Sequence, residues 1–238
     1  MKELLKEKGL WTSSLLCFAA LLAGFPFHQI QAPLETGSFV KLYHTALNTQ
    51  MVLFLIPIAS VLPVGAVYVK ESSTRFLRLY ITRISRMEYI QKKTLQVYAG
   101  GFLPFFIAGL AGFLLCFLLL YPLEFQGDVP WESFWEALRF LLRICLIGGI
   151  LAEISGIFAA AFCNYYMAYG LPFVCYYMLI ILKERYFTEM YAMYPAEWMK
   201  CEQDWGMGNF GIWVFLAAFS LAAMLLHGLL LYKRLQEI

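Results

Sequence analysis

Residues 94–121 read TLQVYAGGFLPFFIAGLAGFLLCFLLLY, a run of 28 residues that contains no charged side chain. A helix that crosses the hydrocarbon core of a bilayer needs about 20 consecutive, mostly apolar residues, so this run predicts a transmembrane helix. The whole chain has the same character, with 61% hydrophobic and 14% charged residues. Soluble proteins are about 45–50% apolar and about 25% charged. The composition therefore excludes a large water-soluble domain.

Five further apolar stretches predict an all-α integral membrane protein with six transmembrane helices, forming a single transmembrane domain over residues 1–238. The predicted spans cover residues 11–27, 49–69, 94–121, 137–163, 166–182 and 210–232. Pro57 and Pro63 lie inside the second span, where neighbouring helices and water can satisfy the freed carbonyl groups. The fifth span is short, and it ends in the charged sequence Lys183-Glu184-Arg185.

The distribution of lysine and arginine predicts the orientation of the spans. Three basic residues precede the first span, seven lie between Lys70 and Lys93, and two follow the last span, which makes 12 of the 18 in the chain. Because cytoplasmic segments carry an excess of Lys and Arg, both ends of the chain are expected in the cytoplasm. The expected location is a cell membrane, most simply the cytoplasmic membrane of a bacterium. The basic outer end of the fifth span is the weakest point of this topology.

The sequence also bears on whether the chain has a cleaved signal peptide, disulfides or metal sites. Ile30-Gln31-Ala32 fits a signal-peptide cleavage site, although Glu3 and Glu7 near the start argue against one. The six cysteines form no Cys-x-x-Cys pair, so neither a disulfide framework nor a zinc site is expected. No other metal site and no catalytic residue is expected either, since the three histidines do not stand at metal-ligand spacing (His28, His44 and His227).

Segment 70–93 carries most of the charge between the second and third spans. At 100° per residue, its apolar residues fall within an arc of about 140°, with arginines on the other side. The apolar face holds Phe76, Leu77, Tyr80, Ile81, Ile84 and Met87, and the basic face holds Arg75, Arg78, Arg83 and Arg86. The pattern predicts an amphipathic cytoplasmic helix, broken at most once. It fits anchoring to anionic lipid headgroups and docking of a cytoplasmic partner, and the two roles are compatible.

The same segment resembles that of the membrane subunits of ABC-2-type transporters. The matching features are a proline-containing second span, an acidic residue after it, and the pattern Arg-x-x-Arg-x-x-Tyr-x-x-x-Lys, here Glu71 and then Arg83, Arg86, Tyr89 and Lys93. The resemblance implies a coupling helix that docks on an ATPase subunit, an N-terminal interfacial helix and a re-entrant helical pair in the outer segment 183–209. It assigns ATPase coupling to Glu71, Arg75, Arg78, Arg83, Arg86, Tyr89 and Lys93.

A transporter of this type needs nucleotide hydrolysis, which this chain does not supply. A phosphate-binding Walker A loop requires a glycine followed by lysine, and none of the 17 glycines is followed by lysine. The resemblance therefore implies two copies of a separate ABC-type ATPase that hold ATP and Mg, with no cofactor in this chain. Six spans form half a pathway in this family, so a second copy or a relative is expected, and no nucleic acid is expected.

Small residues suggest where two copies meet. Small-x-x-x-small patterns allow close approach of helices in a membrane. They occur in the first span as Ala19-x-x-x-Ala23 and Ala20-x-x-x-Gly24, and in the sixth as Ala218-x-x-x-Ala222. Because the resemblance places the dimer contact on the first span, Ala19, Ala20, Ala23 and Gly24 are the interface candidates.

Charged and aromatic side chains within the spans are the pathway candidates. A charge at the centre of a spanning helix costs about 2.5–3.5 kcal/mol, so Arg139, Arg143 and Glu153 should face protein or water. The alternative for the two arginines is that they reach the outer headgroups, which is favoured for Arg139. For Glu153 the alternatives are a hydrated cytoplasm-facing cavity used by cargo and an interhelical partner. His227 is expected to be a hydrogen-bonded packing residue. The fifth span is rich in tyrosine, and the pathway candidates are Arg143, Glu153, Tyr169, Tyr176 and Tyr177.

An aromatic route with few charges suits amphipathic or hydrophobic cargo. The chain looks like the membrane subunit of a small peptide exporter of the bacteriocin or phenol-soluble modulin type. An exporter of lipophilic small molecules is the close alternative. A secondary transporter is less favoured because the two halves of the chain show no internal repeat. An intramembrane enzyme is disfavoured most, because the spans lack convergent nucleophiles, bases or metal ligands.

Overall fold

The computed structural model describes residues 7–30, 34–74, 84–125, 131–207 and 209–237. These residues are helical with short connections, and they contain no strand beyond an isolated bridge between Leu34 and Glu124. The helices are α1 (Lys8–Ala23), α2 (Ser38–Leu47), α3 (Gln50–Ala59), α4 (Val67–Ser73), α5 (Arg86–Leu120), α6 (Trp131–Phe162), α7 (Tyr165–Arg185), α8 (Pro195–Lys200) and α9 (Gly211–Gln236). The predicted all-α class is confirmed.

Four helices are long and apolar enough to cross a membrane: α5, α6, α7 and α9. They coincide with the predicted third to sixth spans. Helices α2 and α3 pass the same test only together, and they are bent by 55° at their junction, so the described residues hold four spans or up to five. Helix α1 has 16 residues, or about 24 Å, which is shorter than the hydrocarbon core of about 30 Å. The predicted count of six is not confirmed.

The predicted second span, residues 49–69, differs most from the structure. Helix α3 ends at Ala59, and turns occupy residues 60–66 before α4 begins at Val67. Proline removes a backbone donor and clashes with the preceding turn of a helix, and both Pro57 and Pro63 lie in this stretch. Helix α2 precedes α3 and was not predicted. The segment is therefore a broken chain of short helices.

Helix α6 is the centre of the bundle. Of its most apolar stretch, 72% is buried, against 39% for α5, 28% for α9 and 17% for α7. Helices α5 and α6 approach so closely that a Cβ atom on Gly101 or Gly148 would collide with the carbonyl oxygen of the other. Helix α7 is thus a peripheral helix beside the closely packed α5–α6 pair.

The segment predicted to be re-entrant, residues 183–209, contains one 3₁₀ turn and the six-residue helix α8 among its described residues. Helix α8 packs with buried Pro195–Met199 against the bundle. The buried Glu197 carboxylate accepts hydrogen bonds from the Gln203 amide at 2.7 Å and from the Trp205 indole at 3.4 Å. These bonds hold the segment as a compact cap. Entry of this cap into the membrane remains a prediction, as does an interfacial helix at the N-terminus, since residues 1–6 lie outside the described residues.

Candidate functional site

Three residues of the resemblance motif meet in one cluster. The Glu71 carboxylate, on α4, accepts hydrogen bonds from Lys93 Nζ at 2.6 Å and from the Tyr89 hydroxyl at 2.7 Å. Tyr89 and Lys93 lie four residues apart near the start of α5, so they occupy the same face of that helix. Both are buried, and the side chain of Glu71 is 21% exposed. We call these three residues the Glu71 cluster.

The Glu71 cluster joins the two ends of the basic segment. Its members lie on either side of residues 75–83, and those residues, with Arg75, Arg78 and Arg83, lie outside the described residues. Arg86 is exposed in the first turn of α5. The resemblance predicts that all seven coupling candidates contact the ATPase. In the structure, Glu71 is hydrogen-bonded to Tyr89 and Lys93 within the chain. These three residues link the helices that precede and follow residues 75–83.

A groove runs between the α3 end of the broken segment and α7. One part, of about 520 Å³, is lined by Ile58, Val61, Leu62, Tyr165, Tyr166, Tyr169, Gly170 and Phe173. A second part, of about 480 Å³, is lined by Leu62, Tyr165 and Tyr169 again and extends to Lys70, Glu71 and Thr74. The shared lining residues join the two parts into one α3–α7 groove. This groove connects the aromatic face of α7 with the Glu71 cluster.

The tyrosine candidates on α7 have different environments. Tyr169 is exposed and lines the α3–α7 groove. Tyr177 belongs to an aromatic cluster, with ring centroids 6.0 Å from Phe54 and 4.7 Å from Phe173. Tyr176 is 2% exposed, and its hydroxyl donates to the Leu53 carbonyl at 3.4 Å. Tyr169 therefore borders open space in this structure, and Tyr176 is a packing residue of the core.

Glu153 and His227 form a pair between α6 and α9. Glu153 Oε2 lies 2.7 Å from His227 Nδ1, and both side chains are buried. Glu153 Oε1 and His227 Nε2 are also buried, and neither has a hydrogen-bond partner. Of the two environments expected for Glu153, the structure shows the interhelical partner; Glu153 itself has no exposed surface. A role in the pathway stays a prediction.

The pairing of these two residues has a signal in the sequence that was missed. Glu153 lies nine residues before the end of α6, and His227 lies nine residues before the end of α9. At 1.5 Å per residue both are about 13.5 Å from those ends. The ends lie side by side, since Arg234 of α9 donates to the carbonyls of Ala160 at 3.0 Å and Ala161 at 2.5 Å on α6. Two polar residues at one depth in neighbouring spans are natural partners.

The two arginines of α6 differ in exposure. Arg139 is exposed, as a side chain that reaches the headgroups must be, and Arg143 is 8% exposed.

The four dimer-interface candidates on α1 also differ in exposure. Ala19 and Ala23 are exposed, whereas Ala20 and Gly24 are half-buried. Ala20 packs against the core, and a Cβ atom on Gly24 would collide with the Thr49 side chain, so these two residues serve packing within the chain.

A scan against protein-family models and a search of curated proteins both give no match. Within the described ranges, no group of three or more His, Cys, Asp or Glu side chains is arranged to hold a metal ion. The functional argument therefore rests on the Glu71 cluster, the α3–α7 groove and the polar groups buried in α6.

Proposed function

We propose that this chain is the membrane subunit of an ATP-driven exporter of the ABC-2 type. In this proposal two copies, or this chain and a relative, enclose the cargo route in a bacterial cytoplasmic membrane. Two copies of a separate ATPase, which hold ATP and Mg²⁺, dock on the basic segment at the cytoplasmic face. The cargo is an amphipathic or hydrophobic peptide.

The Glu71 cluster is the observation that carries the proposal. Its carboxylate is bonded to two donors on α5, so α4 and the start of α5 are held together on either side of residues 75–83. A coupling element must transmit a displacement to the helices on either side of it, and this bonding holds the two flanking helices together. Lipid anchoring alone would not require such a brace.

The α3–α7 groove supports the choice of cargo. Its wall is dominated by tyrosine, phenylalanine and aliphatic side chains, and its charged residues are confined to the end near the Glu71 cluster. Aromatic side chains offer large apolar surfaces together with hydroxyl groups that can form hydrogen bonds. Such a surface suits an amphipathic peptide better than an ion or a sugar.

Charge reversal in the basic segment tests the proposal. The full chain is coexpressed with a candidate ABC-type ATPase, and ATP hydrolysis is measured in the copurified complex. The double variant Arg83→Glu with Arg86→Glu should insert normally and lose the copurified ATPase. Lys233→Glu is the matched control, because Lys233 is also basic and exposed on the end of α9. Normal ATP hydrolysis with the double variant would overturn the coupling assignment.

A further inference from the structure

Arg143 is a buried cation that lacks a counter-ion. Its side chain is on the central helix α6, it is 8% exposed, and its Nε is buried without a hydrogen-bond partner. The ion pairs found within the described part of the chain do not include it. Removing a charge from water without pairing it is costly, so an unpaired guanidinium implies an anionic partner.

The groups around Arg143 do not neutralise it. Its guanidinium carbon lies 5.7 Å from the centre of the Phe140 ring, and the Cys201 thiol beside α8 interacts with the guanidinium. The other charged or titratable groups that act on it from neighbouring positions are Arg139, Glu136 and His44. Arg139 adds positive charge. Glu136 is exposed and lies seven residues, or about 10.5 Å, before Arg143 along α6, and the Glu197 carboxylate acts on Cys201. Among the described residues neither carboxylate forms an ion pair with Arg143, so the guanidinium has no contacting anion.

The depth of Arg143 indicates which anions reach it. Arg143 lies 19 residues, or about 28.5 Å, from the end of α6 at Phe162. This is close to the hydrocarbon thickness of about 30 Å, so Arg143 stands near the opposite edge of the apolar layer. Helix α7 starts beside that same end of α6, and its basic residues Lys183 and Arg185 lie a comparable distance along it. Lipid phosphates occupy this level of a bilayer.

We propose that Arg143 anchors a binding site for a phosphate oxyanion, formed between α6 and the cap that holds α8 and Cys201. The guanidinium offers donors in a planar fork that matches the oxygens of a phosphate group. A phospholipid headgroup and free phosphate share this chemistry. The site does not depend on the proposed ATPase partner, since it requires only the membrane placement of α6.

The thiol of Cys201 is a built-in reporter for this site. Burial raises the pKa of Cys201, the Arg143 cation acts in the opposite direction by stabilising the thiolate, and the Glu197 carboxylate raises the pKa again. An anion that neutralises Arg143 therefore slows alkylation of Cys201, because the thiolate is the reactive form. The measurement uses the full chain with Cys163→Ser and Cys175→Ser, which leaves Cys201 as the accessible thiol among the described cysteines.

The experiment compares alkylation rates in nanodiscs of phosphatidylglycerol and of a phosphate-free galactolipid, and in detergent with and without inorganic phosphate. Phosphatidylglycerol should slow the reaction about threefold to tenfold, as expected for the loss of a neighbouring cation's effect. Slowing by inorganic phosphate in detergent, with none from the lipid, would assign free phosphate as the source. Equal rates in every medium would overturn the proposal.

Variants separate this site from a general surface-charge effect. Arg139→Gln, the exposed neighbour one turn away, should keep the slowing by phosphatidylglycerol, and Arg143→Gln should lose it. Arg143→Lys keeps the positive charge, so it should retain part of the slowing by phosphatidylglycerol. It therefore controls for the possibility that the Arg143→Gln protein misfolds. Native mass spectrometry should show phospholipid bound to the Arg139→Gln protein and lost from the Arg143→Gln protein. Slowing that persists in Arg143→Gln would contradict the assignment.

Discussion

Substitutions of Glu153 and His227 test whether the two residues stabilise the protein as a bonded pair or independently of each other. Replacing Glu153 with methionine leaves the His227 ring buried without its 2.7 Å partner, and replacing His227 with leucine does the same to the Glu153 carboxylate. Breaking a buried pair from one side costs about 3–5 kcal/mol. For a chain of this length that corresponds to a fall in melting temperature of about 6–20 °C.

The double variant should be more stable than either single variant. Replacing both partners with apolar side chains of similar volume removes the pair together with its desolvation cost, and such exchanges are often neutral or stabilising. The Glu153 Oε1 and His227 Nε2 atoms, which are buried without partners, disappear as well. The assay is thermal unfolding of the purified full chain in one detergent, followed by intrinsic tryptophan fluorescence.

A distant hydrogen bond provides the control. Tyr43→Phe removes the 2.9 Å bond from the Tyr43 hydroxyl to the Gly109 carbonyl, and it should cost about 1 kcal/mol in any background. Its effect should add to that of Glu153→Met without coupling. Additive losses for Glu153→Met and His227→Leu would refute the paired arrangement.

Glu153→Gln distinguishes a structural role from a cargo role. The amide keeps an acceptor for His227 and removes the charge, so a structural role predicts a loss of about 1–2 kcal/mol and equal effects on all cargo. A cargo role predicts a stable protein that transports cationic peptides less well than neutral ones. Equal transport of cationic and neutral peptides by a stable variant would exclude the cargo role.

Three further predictions concern the surface of the bundle. Glu71→Gln should lower stability by about 1 kcal/mol, since the carboxylate is partly exposed, and should reduce coupled ATP hydrolysis more than it reduces insertion. Ala19→Cys should form a crosslink between two copies more readily than Ala20→Cys, because Ala19 is exposed and Ala20 packs within the chain; no crosslink from either variant would remove α1 from the interface. Alkylation of Cys201 should accelerate as the pH rises through and above 9, because burial raises the pKa of this thiol and the thiolate reacts, and Arg143→Gln should slow alkylation at any one pH. A flat pH profile would show that Cys201 lies in a different environment.

The long helices could be predicted from the sequence because each is an unbroken apolar run. Helices α7 and α9 begin and end within four residues of the predicted spans, and α5 and α6 end within one residue of theirs. Helices α5 and α6 begin eight and six residues before the predicted spans, at Arg86 and Trp131. The broken segment from α2 to α4 could not be predicted in the same way. Its prolines are compatible with a bent span and with a series of short helices, and packing against α6 decides between them.

The candidate site was only partly visible in the sequence. The motif singled out Glu71, Tyr89 and Lys93, but their mutual bonding depends on bringing together residues that are 18 and 22 positions apart. Glu153 and His227 are 74 positions apart, and their contact depends on the parallel alignment of α6 and α9. Such contacts follow from the packing of helices, which the periodicity of a single helix does not specify.

Reconstituted transport tests the central claim most directly. The chain and the proposed ATPase partner are inserted together into liposomes, and the uptake of a labelled cationic amphipathic peptide is followed with ATP on the ATPase side. The proposed exporter should accumulate the peptide only with hydrolysable ATP, and the Arg83→Glu with Arg86→Glu variant should fail while Lys233→Glu succeeds. Uptake driven by a proton gradient without ATP, and unchanged by the double variant, would contradict the account.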